Sequence, residues 1–286
     1  MDKELKSLLD SMGVGRREFL AGATIVAGFA LAAQPVGAEA ISTDIKGIKD
    51  SMGGFTSLGV TVPAYMARPE AGSKWPIILV VQEIFGVHEH IKDVCRRLAK
   101  LGYMAVAPEL YVRQGDPKTV PDIPTLMQTI VPKVPDAQVM TDLDAAADWA
   151  ASQGGDIGRL AITGFCWGGR ITWLYAAHSK RLKAGVAWYG RLVGNVTENT
   201  PFHPTDIAVK INAPVLGLYG GADPGIPQET IDKMEGLLRS SGKEAAILVY
   251  PGAPHAFHAD YRPSYRKEPA EDGWKRLLDW LKRHGV

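Results

Sequence analysis

The chain has 286 residues, with 32 Lys and Arg against 31 Asp and Glu, and 46% of its residues are hydrophobic; that is ample for a buried core and excludes disorder as the main state. A formal net charge of +1, with Arg and Lys scattered along the chain, creates no field that would gather nucleic acid or an anionic membrane. The two cysteines, Cys95 and Cys166, make no disulfide framework and lack the spacing of a zinc site, so either matters only through thiol chemistry, and neither a metal ion nor an organic cofactor is implied.

At the N-terminus, Arg16 and Arg17 precede an apolar stretch rich in glycine and alanine from Ala21 to Ala33, and small residues continue through Ala38 and Ala40. Paired arginines, a modest apolar segment and a small-x-small end form the layout of a twin-arginine export signal. The apolar run is shorter than the ~20 residues that a membrane span wants. Residues 1–40 are therefore expected to engage the twin-arginine export machinery and to be removed. Residues 41–286 would remain as one domain, periplasmic or secreted, with no stable membrane association.

Loose alternation of apolar and polar residues from about Phe55 to Ala67 predicts an antiparallel edge hairpin. Near-unbroken apolar runs then recur at 77–81, 104–107, 160–162, 184–188, 215–219 and 246–250, the pattern of strands buried on both faces. Helical periodicity occupies about 90–101, 136–152, 168–178, 227–240 and 268–282. Strand and helix in regular alternation predict an α/β domain with a mostly parallel, doubly covered sheet and an antiparallel N-terminal edge. The Pro- and Asn-containing residues 193–206 are predicted to loop over the strand tips.

Directly after the 160–162 run stands Gly164-Phe165-Cys166-Trp167-Gly168-Gly169-Arg170, followed by a helical stretch. This is the strand, sharp turn and helix form of G-x-nucleophile-x-G, with Cys where Ser usually stands. A residue pushed out on such a turn is strained, and side chains two positions either side would collide where helix and strand pack. Its thiol would lie at a helix N-terminus, where the dipole favours an anion. Downstream, Asp223 follows the run ending at Tyr219, and His255 follows the run ending at Tyr250. The chain order Cys, Asp, His, each at the carboxyl end of a successive strand, is the order of α/β-hydrolases. Among the other histidines, only His258 lies near enough in sequence to compete with His255.

At these residues the chain resembles the dienelactone hydrolases, or carboxymethylenebutenolidases. The likeness runs from about Phe55 to the C-terminus, and its most specific pieces are Gln82-Glu83-Ile84-Phe85-Gly86-Val87, then Gly102 through Tyr111 with Arg113 and Gln114 behind it, and the Cys166 elbow. The resemblance implies an α/β-hydrolase fold and cleavage of a small-molecule ester or lactone through a Cys166, Asp223, His255 triad and a thioester. It also implies an oxyanion hole from the backbone N–H groups of Ile84 and Trp167. Glu83 would be an extra carboxylate beside the thiol, keeping the resting sulfur protonated until substrate moves it aside. Family members that act on carboxylated lactones hold the substrate carboxylate with arginines, one of them four residues after the catalytic His; here that residue is Ala259. Arg262 and Arg113 are the candidates to replace it. Tyr111, Phe85, Trp167, Trp188 and Tyr189 suggest an aromatic pocket or, equally, ordinary core. A catalytically silent binding protein on the same scaffold and a peptidase of the same superfamily are the alternatives, the latter disfavoured by Cys at 166.

Overall fold

The computed structural model describes residues 40–286; the expected export signal lies outside the described residues but for Ala40. The predicted edge hairpin is present and begins earlier than expected, as β1 (Ile48–Ser57) and β2 (Val60–Pro69), paired antiparallel. Then follow β3 (Trp75–Val81), α1 (Glu89–Lys100), β4 (Met104–Pro108), α2 (Ile123–Thr129) and α3 (Asp136–Ser152). After these come β5 (Gly155–Phe165), α4 (Trp167–His178), β6 (Leu182–Trp188), the single turn α5 (Pro204–Ile207), β7 (Val215–Gly220), α6 (Gln228–Ser241), β8 (Ala245–Tyr250) and α7 (Lys267–Arg283).

One eight-stranded sheet has the order β1-β2-β4-β3-β5-β6-β7-β8. The β2–β4 pair is antiparallel, and every pair from β4 onward is parallel. Residues 77–81 of β3 and all of β4 are buried, because helices cover both faces and leave no wet side to call for alternation. At the far edge, β8 is largely half-buried.

The connections position the site. From β3 the chain crosses to β4 on one side and then returns past β3 to β5 on the other. Right-handed crossovers in opposite directions put α1 and α3 on opposite faces, so the loops leaving the carboxyl ends of β3 and β5 diverge and open a crevice. Gln82, Glu83 and Ile84 follow β3 at that point, and Cys166 follows β5. The 193–206 segment is a loop that ends in α5, as expected but for that single turn. It is held down by Arg170, whose guanidinium makes two 2.7 Å bonds to Asp136 and one of 2.6 Å to the Phe202 carbonyl. A buried bidentate pair of this kind fixes direction as well as distance.

Candidate active site

Cys166 occupies the turn between β5 and α4 with φ 56° and ψ −113°, outside the regions an L-residue prefers. Its N–H donates to the Trp188 carbonyl at 3.0 Å, and its carbonyl accepts from Gly169 and Arg170. The glycines are obligatory. A Cβ on Gly164 would stand 2.2 Å from the Gly168 oxygen, and one on Gly168 would stand 2.4 Å from the Val81 oxygen. Tyr189 and Ala256 also have positive φ, and with Cys166 they are three of the five such non-glycine residues described. Strain of this sort persists only where the surroundings over-determine it, and here it gathers around one thiol.

Asp223 and His255 meet because their loops are stitched together. Gly221 and Ala222 donate backbone bonds to the Tyr250 and Ala253 carbonyls, and Gly220 lies so close to Ala253 that a Cβ would be 2.3 Å from its oxygen. Asp223 Oδ2 lies 2.6 Å from His255 Nδ1, while Oδ1 accepts the Gly225 N–H at 2.8 Å. With the carboxylate buried and fully engaged, the imidazole is fixed in orientation and its other nitrogen is left for Cys166. Burial alone would lower the His255 pKa, but the Cys166 sulfur and then the Asp223 carboxylate raise it to about 10. The Tyr189 ring packs edge-on against the imidazole, with 5.1 Å between centroids. The thiol, partly exposed, thus faces His255.

Among the described residues, the backbone N–H groups of Ile84 and Trp167 donate to no protein acceptor. Trp167 is the first residue of α4, where a helix leaves such groups unpaired. Tyr111 is buried edge-on to Trp167, and burial and then Cys166 raise its pKa against the opposing effect of Gln82.

Glu83 follows β3, and its carboxylate is held by two neighbours. Its carboxylate, 1% exposed, is bonded through Oε2 to the Tyr261 hydroxyl at 2.6 Å and to His88 Nε2 at 3.2 Å, and no hydrogen bond joins it to the thiol among the described residues. A buried anion must find donors, and the loops after β3 and β8 supply two. Burial pushes the Glu83 pKa up, but His88, Arg262 and His90 outweigh it and hold the carboxyl well below its usual range. Phe85 is buried beneath the Arg262 guanidinium, which lies 5.7 Å from its ring centroid. The Arg262 guanidinium makes no hydrogen bond or ion pair to a described residue, while Glu83 and Cys166 are among the groups that raise its pKa against the effect of burial.

Two expected pocket residues lie elsewhere. Both terminal nitrogens of Arg113 are bonded to Asp142, and one also to the Ser57 carbonyl, so its charge is spent tying the β4 loop to α3 and β1. Trp188 is 0% exposed, stacked on Phe165 with its indole N–H donated to Thr163. It is core beneath the elbow, not pocket wall, because a ring that size fills the space left by Gly273 of α7. His258 is likewise buried, between Trp188 and Trp274. Sequence reasoning missed His88 and Tyr261; the only signal was two polar residues in loops that already carried Glu83 and His255.

The Dienelactone hydrolase family model matches residues 62–285. A protein of Methylorubrum extorquens described as a carboxymethylenebutenolidase is 58% identical over 287 residues, covering 100% of this chain and 98% of that one. The chain belongs to the dienelactone hydrolase family. An Escherichia coli relative of the same description is 57% identical, with 90% of this chain and 96% of the relative aligned. The crystal structure described as a dienelactone hydrolase from Klebsiella pneumoniae superposes with a TM-score of 0.81 at 61% identity, over 82% of this chain and 98% of that chain. As a dienelactone hydrolase family member the chain has the α/β-hydrolase fold, and it is a hydrolase of small carboxylic esters or lactones.

Proposed function

We propose that this hydrolase cleaves its ester or lactone through a thioester on Cys166, and that the substrate carries a carboxylate. The supporting observation is the 2.6 Å bond between Asp223 and a His255 ring whose pKa is raised by the Cys166 sulfur. In this mechanism the Cys166 proton already rests on His255, and the thiolate Sγ attacks the acyl carbon. The tetrahedral oxyanion is met by the N–H groups of Ile84 and Trp167. Collapse breaks the C–O bond, and the leaving alkoxide takes the proton from His255. Water then attacks the thioester, giving its proton to His255, and the Cys166 thiolate is released beside the imidazolium as the acid leaves. Asp223 stays ionised throughout and fixes the imidazole tautomer.

Arg262 supports the carboxylate. Its guanidinium lies over Phe85 with no hydrogen bond or ion pair among the described residues, and it does from the loop beyond His255 what Ala259 cannot. Tyr111 and Phe85 give that subsite apolar walls. Glu83 balances Arg262 while no substrate is bound. We propose, too, that residues 1–40 direct export through the twin-arginine machinery and that the domain works in the periplasm or outside the cell.

The nucleophile is tested with a p-nitrophenyl ester. A burst of chromophore should be abolished by iodoacetamide and by Cys166→Ala, whereas Cys95→Ala should turn over normally. Cys95 is fully buried on α1, so its loss costs about 1–2 kcal/mol of packing and no chemistry. Equal loss of activity in the two folded variants would refute the assignment.

A further inference from the structure

His88 stands at the N-cap of α1, a position where Ser, Thr, Asp or Asn would normally accept a bond from the first helical turn. It makes no such capping bond. Its ring turns instead toward the crevice, where Nε2 lies 3.2 Å from Glu83 Oε2. The same oxygen accepts the Tyr261 hydroxyl, and the His88 and Tyr261 rings pack edge-on with 5.1 Å between centroids. Glu83 Oε1, in contrast, is buried without a hydrogen-bond partner among the described residues. One oxygen of the carboxylate is thus gripped from two sides, and the grip fixes where the whole group points.

The grip is itself anchored. His90 stacks on His88 with 6.0 Å between centroids and lies 3.1 Å from Asp260 through Nδ1. Asp260 also accepts Arg97, which binds Asp93 one turn back along α1. Asp260, Tyr261 and Arg262 belong to the loop that carries His255, so α1 and that loop are joined directly by two polar contacts to Asp260, and through Glu83 between His88 and Tyr261.

We propose that His88 is a positioning residue that, with Tyr261, holds the Glu83 carboxylate off the Cys166 thiol, so that the sulfur is left to His255. This rests on the reading of Cys166 as nucleophile and concerns what sets its readiness. The groups facing His88 are Glu83 from the end of β3, His90 of α1, and Tyr261 and Arg262 from the loop after β8. Burial keeps the His88 ring below its ordinary range, with His90 and Arg262 acting in the same direction against Glu83. At neutral pH the ring is therefore a neutral donor, a role that an amide can imitate.

The test is the pH dependence of iodoacetamide alkylation at Cys166, read by peptide mass on the full chain without substrate. In His88→Ala the carboxylate is free to approach the thiol, and the half-reaction pH should rise, with a tenfold slower rate below it for each pH unit of displacement. His88→Gln, which keeps a donor, should return the profile toward wild type. Tyr261→Phe removes the other donor with little change of shape and should shift the profile in the same direction as His88→Ala, which keeps the question answerable if His88→Ala folds poorly. In a Glu83→Gln background, His88→Ala should have no further effect, because the anion it restrains is gone. An unshifted profile in both His88→Ala and Tyr261→Phe, or a shift that persists in Glu83→Gln, overturns the proposal. Failure of the nucleophile reading is a separate result, since it appears as ester turnover retained by Cys166→Ala.

Discussion

Adding one methyl group at Gly164 tests the elbow most directly. The new Cβ would lie 2.2 Å from the oxygen of Gly168, 2.5 Å from its carbonyl carbon and 2.8 Å from Thr172 Oγ1. Two of these three atoms are backbone of the first turn of α4, so no side-chain rotation relieves the clash. Relief requires α4 to move off β5 by about 1 Å, given ordinary contact distances of ~3.5 Å. Overpacking of this kind costs about 1–3 kcal/mol, which for a domain of this size lowers Tm by about 2–12 °C. The same displacement carries the Trp167 N–H and the Cys166 backbone with it, and a 1 Å misplacement of reacting groups costs about 100-fold in rate. Gly236 supplies the control, since it is exposed in α6 with nothing within 4 Å of its would-be Cβ. Gly236→Ala should stabilise by about 0.5–1 kcal/mol and leave activity unchanged. Differential scanning calorimetry and p-nitrophenyl ester kinetics on the two variants read both numbers. A Gly164→Ala protein with wild-type Tm and turnover would refute the claim that close backbone approach builds this site.

Asp223→Asn should keep the fold but cut kcat by orders of magnitude, because the amide no longer fixes the reactive imidazole tautomer. It should also lower the His255 pKa. A pKa raised from the ordinary 6.5 to about 10 contributes stability that is full below pH ~6.5 and is lost as pH rises through 10. The stability advantage of wild type over Asp223→Asn, measured by urea unfolding, should therefore shrink across that window; an advantage that grows with pH contradicts the pairing. Arg262→Gln should raise KM at least tenfold for a carboxylated lactone and hardly at all for a neutral p-nitrophenyl ester, and equal effects on both would remove Arg262 from the carboxylate subsite. Replacing Arg16 and Arg17 by Lys should leave full-length precursor in the cytoplasm, and cell fractionation showing normal export of that variant would contradict the signal.

The strands buried on both faces were legible as apolar runs, because a doubly covered sheet imposes no alternation and leaves its mark in consecutive residues. The elbow was legible for a related reason: the collisions that forbid side chains at 164 and 168 are local to one strand-turn-helix unit, so the sequence must carry glycine there. The order of Cys166, Asp223 and His255 likewise follows from successive strands ending at one sheet edge. What lay beyond the sequence depends on which distant loops share a crevice. Arg113 and Arg262 are both arginines near family motifs, yet one is tied to Asp142, 29 residues away, and the guanidinium of the other lies over the Phe85 ring. Trp188 and Tyr189 are neighbours in the chain, but the turn after β6 sends the first ring beneath the elbow and the second against His255. Glu83 could be placed at the sheet edge from its position after β3, but not oriented, since its two donors arrive from loops 5 and 178 residues away. A buried charge takes its direction from whichever donors tertiary packing delivers, and no local pattern encodes that.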